Sequence, residues 1–295
     1  GRPLHQRLVD GFFGSQGEWD LHQCLNAFCG LIWMNPMPRE EDIAEAYRDY
    51  YTHDEANPGR SAASRLLFSV LGLEKARRRA EQCYLDERSP GRVLDIGFGD
   101  GSRVRRLASL GWTVEGQEVD PFAIQTARDQ GIEVHEGRLQ DLNLSGRQYD
   151  AVIGNHVIEH VHSPLEVLDT CRRLTSPGGM VIMVTPNNNS YGHRVFGRCW
   201  LGLDPPRHLH VFSLSSMNLL LKKAGFSHHH MFTNPALSAI PFQASIAMSR
   251  AGSFRFGQSA SWADQTVVAW HVAVSRFLNV LNHRWGEEIV VMAEA

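Results

Sequence analysis

The chain has 295 residues, of which 43% are hydrophobic and 21% charged, a composition typical of a globular protein with a substantial buried core. This length predicts one α/β core with attached segments rather than two equal domains. The net charge of −3, from 29 basic and 32 acidic side chains, argues against a nucleic-acid partner, because binding to phosphates needs a basic excess.

The apolar residues and the cysteines set further limits. No stretch reaches the roughly 18 apolar residues that a membrane span needs, and Gly1–His5 shows no apolar signal core, so we expect no integral membrane contact. The five cysteines are odd in number and irregularly spaced, which is more typical of a reducing compartment than of a disulfide framework. The sequence therefore predicts a cytoplasmic protein.

The first segment, residues 1–57, is interpreted as an N-terminal cap or lid. A helix is predicted over Arg39–Tyr51, because its first turn carries the acidic residues that a helix dipole favours. A second helix is predicted over 60–87, where two rows of apolar side chains lie at helical spacing.

Residues 58–190 are predicted to form the central domain. Within it, strands are predicted at Val93–Ile96, Thr113–Gly116, Ala151–Ile153 and Met180–Val184, and helices at Val104–Leu110, Ala123–Gln130 and Leu165–Leu174. This alternation predicts an α/β fold with a doubly wound, mostly parallel sheet, right-handed crossovers and helices on both faces.

The last third of the chain divides into a loop and the end of the sheet. Residues 191–215 are rich in Asn, Gly, Pro and His and predict a functional loop. Residues 216–295 are expected to complete the sheet, with a helix over Leu214–Ala224, a strand soon afterwards, a helical insertion, and a last strand at Glu288–Met292.

The insertion, from Asp264 to Trp285, predicts an amphipathic helix. Its apolar stripe comprises Val267, Trp270, Val274, Phe277, Leu278, Leu281 and Trp285, and its polar face comprises His271, Ser275, Asn279 and Asn282. The plain interpretation is that the stripe packs on the core or forms a homodimer interface. A peripheral membrane contact is the alternative, although the polar face lacks the lysines of such helices.

The most informative motif is the glycine-rich turn that follows Val93–Ile96. It reads Gly97-Phe98-Gly99-Asp100-Gly101, and glycines leave room for a ligand to approach the backbone. A dinucleotide site needs glycine at position 102, where this chain has serine. Asp95, just before the turn, disfavours a pyrophosphate and suits a ligand that carries an ammonium group.

This motif and the segments after it resemble the class I S-adenosylmethionine-dependent methyltransferases, over residues 92–226. The resemblance implies a Rossmann-like fold with a seven-stranded sheet and S-adenosylmethionine as the cofactor, converted to S-adenosylhomocysteine. It implies that the methionine end lies at Asp95, Gly97, Gly99 and Gly101. It places the ribose on Glu118, since two hydroxyl donors suit a bidentate acceptor, and the adenine against Leu139. Asp120, which precedes Pro121, is expected to cap the next helix.

A further segment, Asn155–Val161, is similar to its counterpart in the ubiquinone-biosynthesis O-methyltransferases. The resemblance implies that Asn155 and His156 contact the cofactor. Glu159 and His160 are interpreted as a helix cap or as ligands of a divalent metal that acidifies the acceptor. In the loop that the family places over the acceptor, the candidate acceptor-binding residues are Asn187, Trp200, Arg207 and His210.

The catalytic base is predicted to be a histidine, because a neutral imidazole with a pKa near 6.5 can remove a proton from a hydroxyl group. His208, which follows two prolines in the loop, is the first candidate and His160 the second.

Two features of the N-terminal segment also resemble known parts of such enzymes. An aromatic segment that folds over the pocket, or packs on the core, is predicted at Tyr47, Tyr50, Tyr51 and His53. Cys24 and Cys29 resemble half of a zinc ribbon, but a structural zinc needs four ligands, so we expect buried free thiols and no metal there.

We therefore expect S-adenosylmethionine-dependent methyl transfer to a small molecule, at oxygen rather than at carbon or nitrogen. The alternative is a regulatory protein that binds the cofactor without catalysis. RNA methylation is disfavoured, because Thr185–Asn188 supplies no aromatic side chain to stack on a flipped base.

Overall fold

The computed structural model describes residues 1–47, 74–236, 238–256 and 261–295. The chain divides into two compact units. The first comprises Gly1–Arg77, Pro186–Ser216 and Phe232–Ile289, and the second comprises Arg78–Thr185, Met217–Met231 and Val290–Ala295.

The regular elements of the described residues are numbered in chain order. The strands are β1 (Arg2–Leu8), β2 (Trp19–Gln23), β3 (Ile32–Met34), β4 (Arg92–Ile96), β5 (Thr113–Glu118), β6 (Glu133–Glu136), β7 (Tyr149–Asn155), β8 (Thr175–Pro186), β9 (His210–Val211), β10 (His229–Asn234) and β11 (Glu288–Glu294). The α-helices are α1 (Glu40–Ile43), α2 (Glu74–Glu81), α3 (Ser102–Ser109), α4 (Pro121–Asp129), α5 (Pro164–Leu174), α6 (Tyr191–Phe196), α7 (Leu214–Lys223), α8 (Ala239–Ala251) and α9 (Trp262–Leu281).

The larger sheet has seven strands in the order β10-β11-β8-β7-β4-β5-β6. The pairs β4–β5, β4–β7, β5–β6 and β7–β8 are parallel. The two central strands are covered on both faces, which is why their sequences are almost continuously apolar, as in Val93–Leu94 and Ala151–Ile153. The carboxyl ends of parallel strands share one edge, so the segments after β4, β5 and β7 meet there.

The first unit contains a smaller, antiparallel sheet in the order β1-β2-β3-β9. Its core is formed by Leu8, Leu21, Ile32, Met34, Trp200, Leu203 and Val211. The sequence predicted a helical lid in this segment, and the strands β1 to β3 were not predicted. Their signal is weak, because β3 has three residues and only Leu8 of β1 is buried.

The helices predicted near residues 39–87 are shorter in the structure. Helix α1 continues as a 3₁₀ turn to Tyr47, whereas Tyr50, Tyr51 and His53 lie outside the described residues. Helix α2 ends at Glu81, before the predicted end at 87, because Cys83 and Tyr84 adopt left-handed backbone angles with φ of 51° and 57°. The first part of that predicted helix also lies outside the described residues.

The predicted helical insertion is confirmed by α9, but its most deeply buried residues are not those of the stripe expected for core packing. Its buried residues are Val272, Ser275 and Asn279, whereas Trp270, Phe277 and Leu281 of the apolar stripe are exposed. The inward polar groups have protein partners: Tyr191 Oη lies 2.9 Å from His271 Nδ1, and Thr233 Oγ1 lies 2.8 Å from Asn279 Oδ1. Among the described residues, no helix is long and apolar enough to cross a membrane.

Candidate functional site

The glycine turn after β4 has the backbone shape that its glycines were predicted to permit. Gly97, Gly99 and Gly101 have φ angles of 60°, 59° and 69°, in the left-handed region that side chains with a Cβ rarely adopt. A Cβ on Gly97 would lie 2.6 Å from Cγ2 of Val157. The turn therefore needs glycine both for its conformation and for its packing, and it leads directly into α3.

Asp95, at the end of β4, supports the turn through Arg103. Both carboxylate oxygens accept hydrogen bonds from the Arg103 guanidinium, whose Nε lies 3.0 Å from Oδ2 and whose Nη2 lies 3.0 Å from Oδ1. Nη2 also lies 3.4 Å from the Gly97 carbonyl oxygen. Asp95 is fully buried, and burial raises its pKa while Arg103 opposes that rise. The carboxylate predicted to meet a ligand's ammonium group thus has a cationic partner within the protein.

Glu118 ends β5 beside the same turn. Its Oε2 accepts a hydrogen bond from the Gly99 amide at 3.0 Å, and its Oε1 accepts one from the Val119 amide at 2.7 Å. The Asp120 side chain accepts from the Phe122 amide and caps α4, which confirms the predicted cap. Glu118 therefore connects the ends of two adjacent strands, at the position predicted for ribose binding.

The segment predicted to face the adenine forms a 3₁₀ turn over Leu139–Asp141, with Leu139 buried. The turn is joined to β5 by Gln117, whose Nε2 donates to the Gly137 carbonyl at 2.6 Å. Arg138 pairs with Asp141 at 2.7 Å. The backbone and the apolar side chain of Leu139 thus remain the groups available for the predicted contact.

The segment after β7 is a turn rather than the start of a helix, since α5 begins at Pro164. His156 has a φ of 56°, and its Nδ1 lies 3.1 Å from Oε1 of Glu159. Glu159 is fully buried, and its Oε2 accepts a hydrogen bond from the Thr185 hydroxyl at 2.9 Å. These two bonds do not test the helix cap predicted for Glu159 and His160, which stays a prediction. A possible ligand atom of Glu159 lies within 4.8 Å of a possible ligand atom of His160. This spacing is compatible with the metal site predicted for the two residues, which stays a prediction.

The residues predicted to bind the acceptor lie in the first unit. Among them, the Asn187 side chain is hydrogen-bonded to the protein backbone. Its Nδ2 donates to the carbonyl oxygens of Arg284 and Gly286, both at 2.8 Å, and its Oδ1 accepts from the Asn189 amide at 3.1 Å. Asn187 is fully buried. These bonds fix the start of the loop to the segment before β11 and occupy both N–H donors of the amide, so the contact with the methyl acceptor that was predicted for Asn187 stays a prediction.

Trp200 is held by a buried acid, Glu287. The indole Nε1 donates to Oε2 of Glu287 at 3.0 Å, and the Gly192 amide donates to Oε1 at 2.8 Å. Burial raises the pKa of Glu287 to about 7, although the hydrogen bonds from Trp200 and Gly192 lower it. The indole N–H that could contact an acceptor therefore serves the packing of the loop.

A pair of histidines adjoins Trp200. His193 stacks on the indole with ring centroids 5.0 Å apart, and its Nδ1 donates to the Asn188 carbonyl at 2.6 Å. Its Nε2 lies 3.1 Å from Nε2 of His5. Burial lowers the pKa of both imidazoles, and the pKa of His5 falls to about 4. The pair is therefore neutral near pH 7.

Arg207 is a fully buried cation between two carboxylates, and this differs from its predicted contact with the acceptor. Its Nη1 donates to Asp10 at 2.8 Å, and its Nη2 and Nε donate to Asp204 at 2.5 and 3.0 Å. Nη1 also lies 3.1 Å from the Ala46 carbonyl, and the guanidinium stands 4.4 Å from the Phe13 ring centroid. Burial by itself raises the pKa of Asp10. The hydrogen bond and ion pair with Arg207 outweigh burial, and the pKa of Asp10 falls to about 2. Arg207 thus joins the loop to the N-terminal segment.

His208 has a defined orientation and a defined tautomer. Its Nδ1 lies 2.9 Å from the Gly202 carbonyl oxygen, which can only accept, so Nδ1 carries the proton. The lone pair of the neutral ring is then on Nε2, the atom that a general base would use. His208 is buried, with its Nε2 4.0 Å from Asp204.

His210 and the two N-terminal cysteines are less enclosed. His210 is half-buried in β9, pairs with Trp33 of β3, and stacks on Phe212 at a centroid distance of 6.0 Å. Cys24 and Cys29 form no disulfide and are half-buried, rather than fully buried as expected. The prediction that no metal binds at these cysteines is not tested by this arrangement.

Sequence reasoning missed the residues that support the predicted ones. Arg103, Glu287 and Asp10 belong to no recognisable sequence motif. The signal for Arg103 was available, because a long basic side chain at the second position of α3 can reach back to the strand end that carries Asp95. No local signal connects Asp10 with Arg207, which lies 197 positions away.

Comparison with known proteins identifies the family. The model of a family described as methyltransferase domain matches residues 71–230, more than half of the chain. The chain therefore belongs to this methyltransferase family, and its predicted membership of the class I S-adenosylmethionine-dependent methyltransferases is confirmed.

Relatives and solved structures agree with this family. The ubiquinone biosynthesis O-methyltransferase of Cereibacter sphaeroides is 34% identical over 146 residues, which cover 45% of this chain and 59% of that protein. The enzyme of the same name from Klebsiella pneumoniae is 35% identical over 129 residues, covering 40% and 50%. The chain thus spans between half and three fifths of the length of these relatives.

The structural comparison confirms the predicted Rossmann-like fold. A SAM-dependent methyltransferase from Archaeoglobus fulgidus covers 80% of this chain and 100% of its own, with a TM-score of 0.50 and 17% identity. An S-adenosylmethionine-dependent methyltransferase from Mesorhizobium loti covers 76% and 98%, with a TM-score of 0.51 and 17% identity.

Proposed function

We propose that the protein transfers a methyl group from S-adenosylmethionine to an oxygen atom of a small molecule. The observation that carries the proposal is the arrangement at the ends of β4 and β5, where a turn with three left-handed glycines is hydrogen-bonded to the Glu118 carboxylate. When bound, the cofactor supplies a methyl group activated on a sulfonium ion. Oxygen as the accepting atom is supported by the shared name of the relatives.

The cofactor-binding roles follow from this geometry. We assign the methionine end to the turn formed by Gly97, Gly99 and Gly101, and Glu118 has acceptor capacity for the ribose hydroxyls beyond its three backbone bonds. Asp95 contributes by holding Arg103 and the turn. The contact with the adenine ring of the cofactor is assigned to Leu139. Further contacts with the cofactor are assigned to Asn155 and His156.

The acceptor is held by the loop at 186–215, with His208 as the base. Nε2 of His208 takes the proton of the acceptor hydroxyl, because Nδ1–H is committed to the Gly202 carbonyl. We assign His210 to the acceptor surface, since it is half-buried. The buried side chains of Asn187, Trp200 and Arg207 act indirectly, by fixing the loop.

The test is methyl transfer from isotope-labelled S-adenosylmethionine to a panel of phenols, catechols and aliphatic alcohols, with small amines and an RNA as further acceptors. We expect turnover with a hydroxyl acceptor, and a kcat about 10²–10⁴-fold lower for His208→Ala, the usual effect of losing a general base. His228→Ala is the matched control, because His228 is an exposed histidine outside the loop. Transfer only to amines would contradict the assignment to oxygen, and cofactor binding without any transfer would favour the regulatory alternative.

His160 is the second candidate base, with or without a metal. If His160→Ala loses activity while His208→Ala stays near the wild type, the role belongs to His160. Loss of activity on dialysis against a chelator, and its return with Mg²⁺, would indicate that Glu159 and His160 hold a divalent ion.

The partner and the compartment complete the proposal. The net charge of −3 supports a small-molecule acceptor over a nucleic acid. The absence of a disulfide among the five cysteines, all of which lie in the described residues, supports a reducing, cytoplasmic compartment. The outward apolar face of α9 supports a homodimer.

A further inference from the structure

We infer that the outward face of α9 is a two-fold interface with a second copy of this chain, in which two α9 helices pack antiparallel. This face, the α9 stripe, comprises residues with relative exposures of 79%, 67%, 63%, 72% and 68%, namely Trp262, Trp270, Phe277, Val280 and Leu281. The inference is independent of the catalytic assignment, since α9 contributes no residue to the proposed site.

The orientation of α9 is the first argument. A surface helix normally turns its apolar side inward. Here the inward positions include Ser275 and Asn279, whereas both tryptophans of the helix and Phe277 face outward. The partners of Asn279 and His271 show that this orientation is specified by hydrogen bonds rather than by chance. Within the part of the chain that the structure describes, the apolar side is therefore left for another surface.

The area is the second argument. At roughly 200 Å² per aromatic side chain, the three exposed rings present on the order of 400 Å², and Val280 and Leu281 bring the stripe to roughly 600 Å². A typical monomer exposes no single apolar patch larger than about 300–600 Å². A stable interface takes about 800 Å² from each partner, so the stripe with a narrow rim is large enough for a dimer.

The order of large and small residues is the third argument, and it selects a second copy as the occupant. In an antiparallel pair that crosses between residues 271 and 272, positions equally far from the crossing face each other. Trp270 then faces Ala273 of the partner subunit, Phe277 faces Thr266 of the partner subunit, and Val280 faces Ala263 of the partner subunit. Each large side chain meets a small one, as close packing between helices requires. At the ends, Trp262 faces Leu281 of the partner subunit.

The charge pattern agrees with this occupant. Asp264 and Arg276 are the only charged residues among the twenty of α9, and neither belongs to the stripe. Asp264 is paired with Arg250 of α8. Because the stripe itself contains no charged residue, two copies can meet along it without placing a charge between the stripes, which would oppose association strongly. A membrane-binding helix would instead carry several basic residues beside its apolar face.

The first test is the dimer dissociation constant of the full chain, measured by sedimentation equilibrium. We expect a wild-type dimer at micromolar concentration. Trp270→Glu and Phe277→Glu should each raise the dissociation constant by at least 100-fold, with an unchanged circular dichroism spectrum. Phe28→Glu is the matched control, because Phe28 is an equally exposed aromatic residue outside α9 and should leave the constant unchanged. A monomeric wild type, or a dimer that tolerates both α9 substitutions, would overturn the inference.

The second test measures the register. The double variant Thr266→Lys, Phe277→Glu places opposite charges at facing positions and should restore association to within about 10-fold of the wild type. The variant Thr266→Lys, Ala273→Glu carries the same two charges at positions that do not face each other and should stay monomeric. Equal behaviour of the two variants would refute the antiparallel pairing. A different outcome is that a monomeric wild type sediments with vesicles that contain phosphatidylserine and that Trp270→Glu abolishes this binding. That result would show that the α9 stripe binds membranes and would overturn the dimer.

Discussion

Replacing Arg207 by methionine tests the conclusion that this residue is structural. The change removes the cation and leaves two carboxylates, Asp10 and Asp204, buried without their partner. Breaking a buried pair in this way costs about 3–5 kcal/mol, because a charge is left uncompensated. A typical domain has a stability of about 5–15 kcal/mol, so the loss is a large fraction of the total. Arg207→Lys should also destabilise, since an ammonium group cannot bond to both acids with the guanidinium geometry.

The free energy of unfolding in urea, followed by tryptophan fluorescence, measures this effect. Arg198→Met is the matched control, because Arg198 is an arginine of the same loop whose bonds to the Gln6 and Arg7 carbonyls are exposed to solvent, and a loss of about 0.5 kcal/mol is expected there. The triple variant Asp10→Asn, Asp204→Asn, Arg207→Met should recover much of the stability, since no buried charge is left. If Arg207→Met unfolds within about 1 kcal/mol of the wild type and instead raises the KM for the acceptor, the structural role is wrong and the predicted acceptor contact is right.

Three further predictions concern the pH dependence of stability and the glycine turn. Because the pKa of Glu287 is raised to about 7, the folded state keeps a proton that the unfolded state loses near pH 4.5, so the free energy of unfolding should fall by about 3 kcal/mol as the pH rises from 4.5 to 7. Glu287→Gln should remove this slope in urea titrations at several pH values, and an unchanged slope would contradict the shift. The pKa of His5 is lowered to about 4, so the free energy of unfolding should fall as the pH drops from 6.5 to 4. His5→Gln should flatten that part of the pH profile. A steeper fall in His5→Gln than in the wild type would contradict the neutral pair with His193. Gly97→Ala should cost about 2–4 kcal/mol from its left-handed backbone and its clash with Val157. Adding Val157→Ala should recover the part due to the clash, and no recovery in thermal or urea unfolding would show that the backbone angle dominates.

The sheet and the cofactor turn could be predicted because their signals are local. The run Val93–Ile96 is apolar since β4 is covered on both faces, and the three glycines mark a turn that no other residue type forms easily. The cap at Asp120 was equally readable, because the capped amide is two residues away. Patterns within ten residues therefore gave the order of the elements and the position of Glu118.

The environment of the acceptor loop could not be predicted, because it depends on partners far away in the chain. Asn187 bonds to carbonyl groups at 284 and 286, and Arg207 bonds to Asp10. A polar residue in a loop looks the same in the sequence whether it contacts a ligand or a distant backbone group. The orientation of α9 was hidden for the same reason, since the partners of its polar face, Tyr191 and Thr233, come from other elements.

The short strands of the first unit escaped prediction for a different reason. Strands β2 and β3 have five and three residues, too few for an alternation to stand out. Their buried residues, Leu21, Ile32 and Met34, become a recognisable pattern only once β9 is paired with β3.

The central claim, that the turn after β4 and the end of β5 bind S-adenosylmethionine, is tested most directly by isothermal titration calorimetry. The wild type should bind both S-adenosylmethionine and S-adenosylhomocysteine, and should not bind NAD. Glu118→Ala should weaken binding by about 10–150-fold, corresponding to about 1.5–3 kcal/mol for hydrogen bonds to a charged group. Glu133→Ala, which removes an exposed carboxylate at the opposite end of the neighbouring strand, should bind like the wild type. Absence of heat with both ligands for the wild type, or equal affinities for the two variants, would contradict the account.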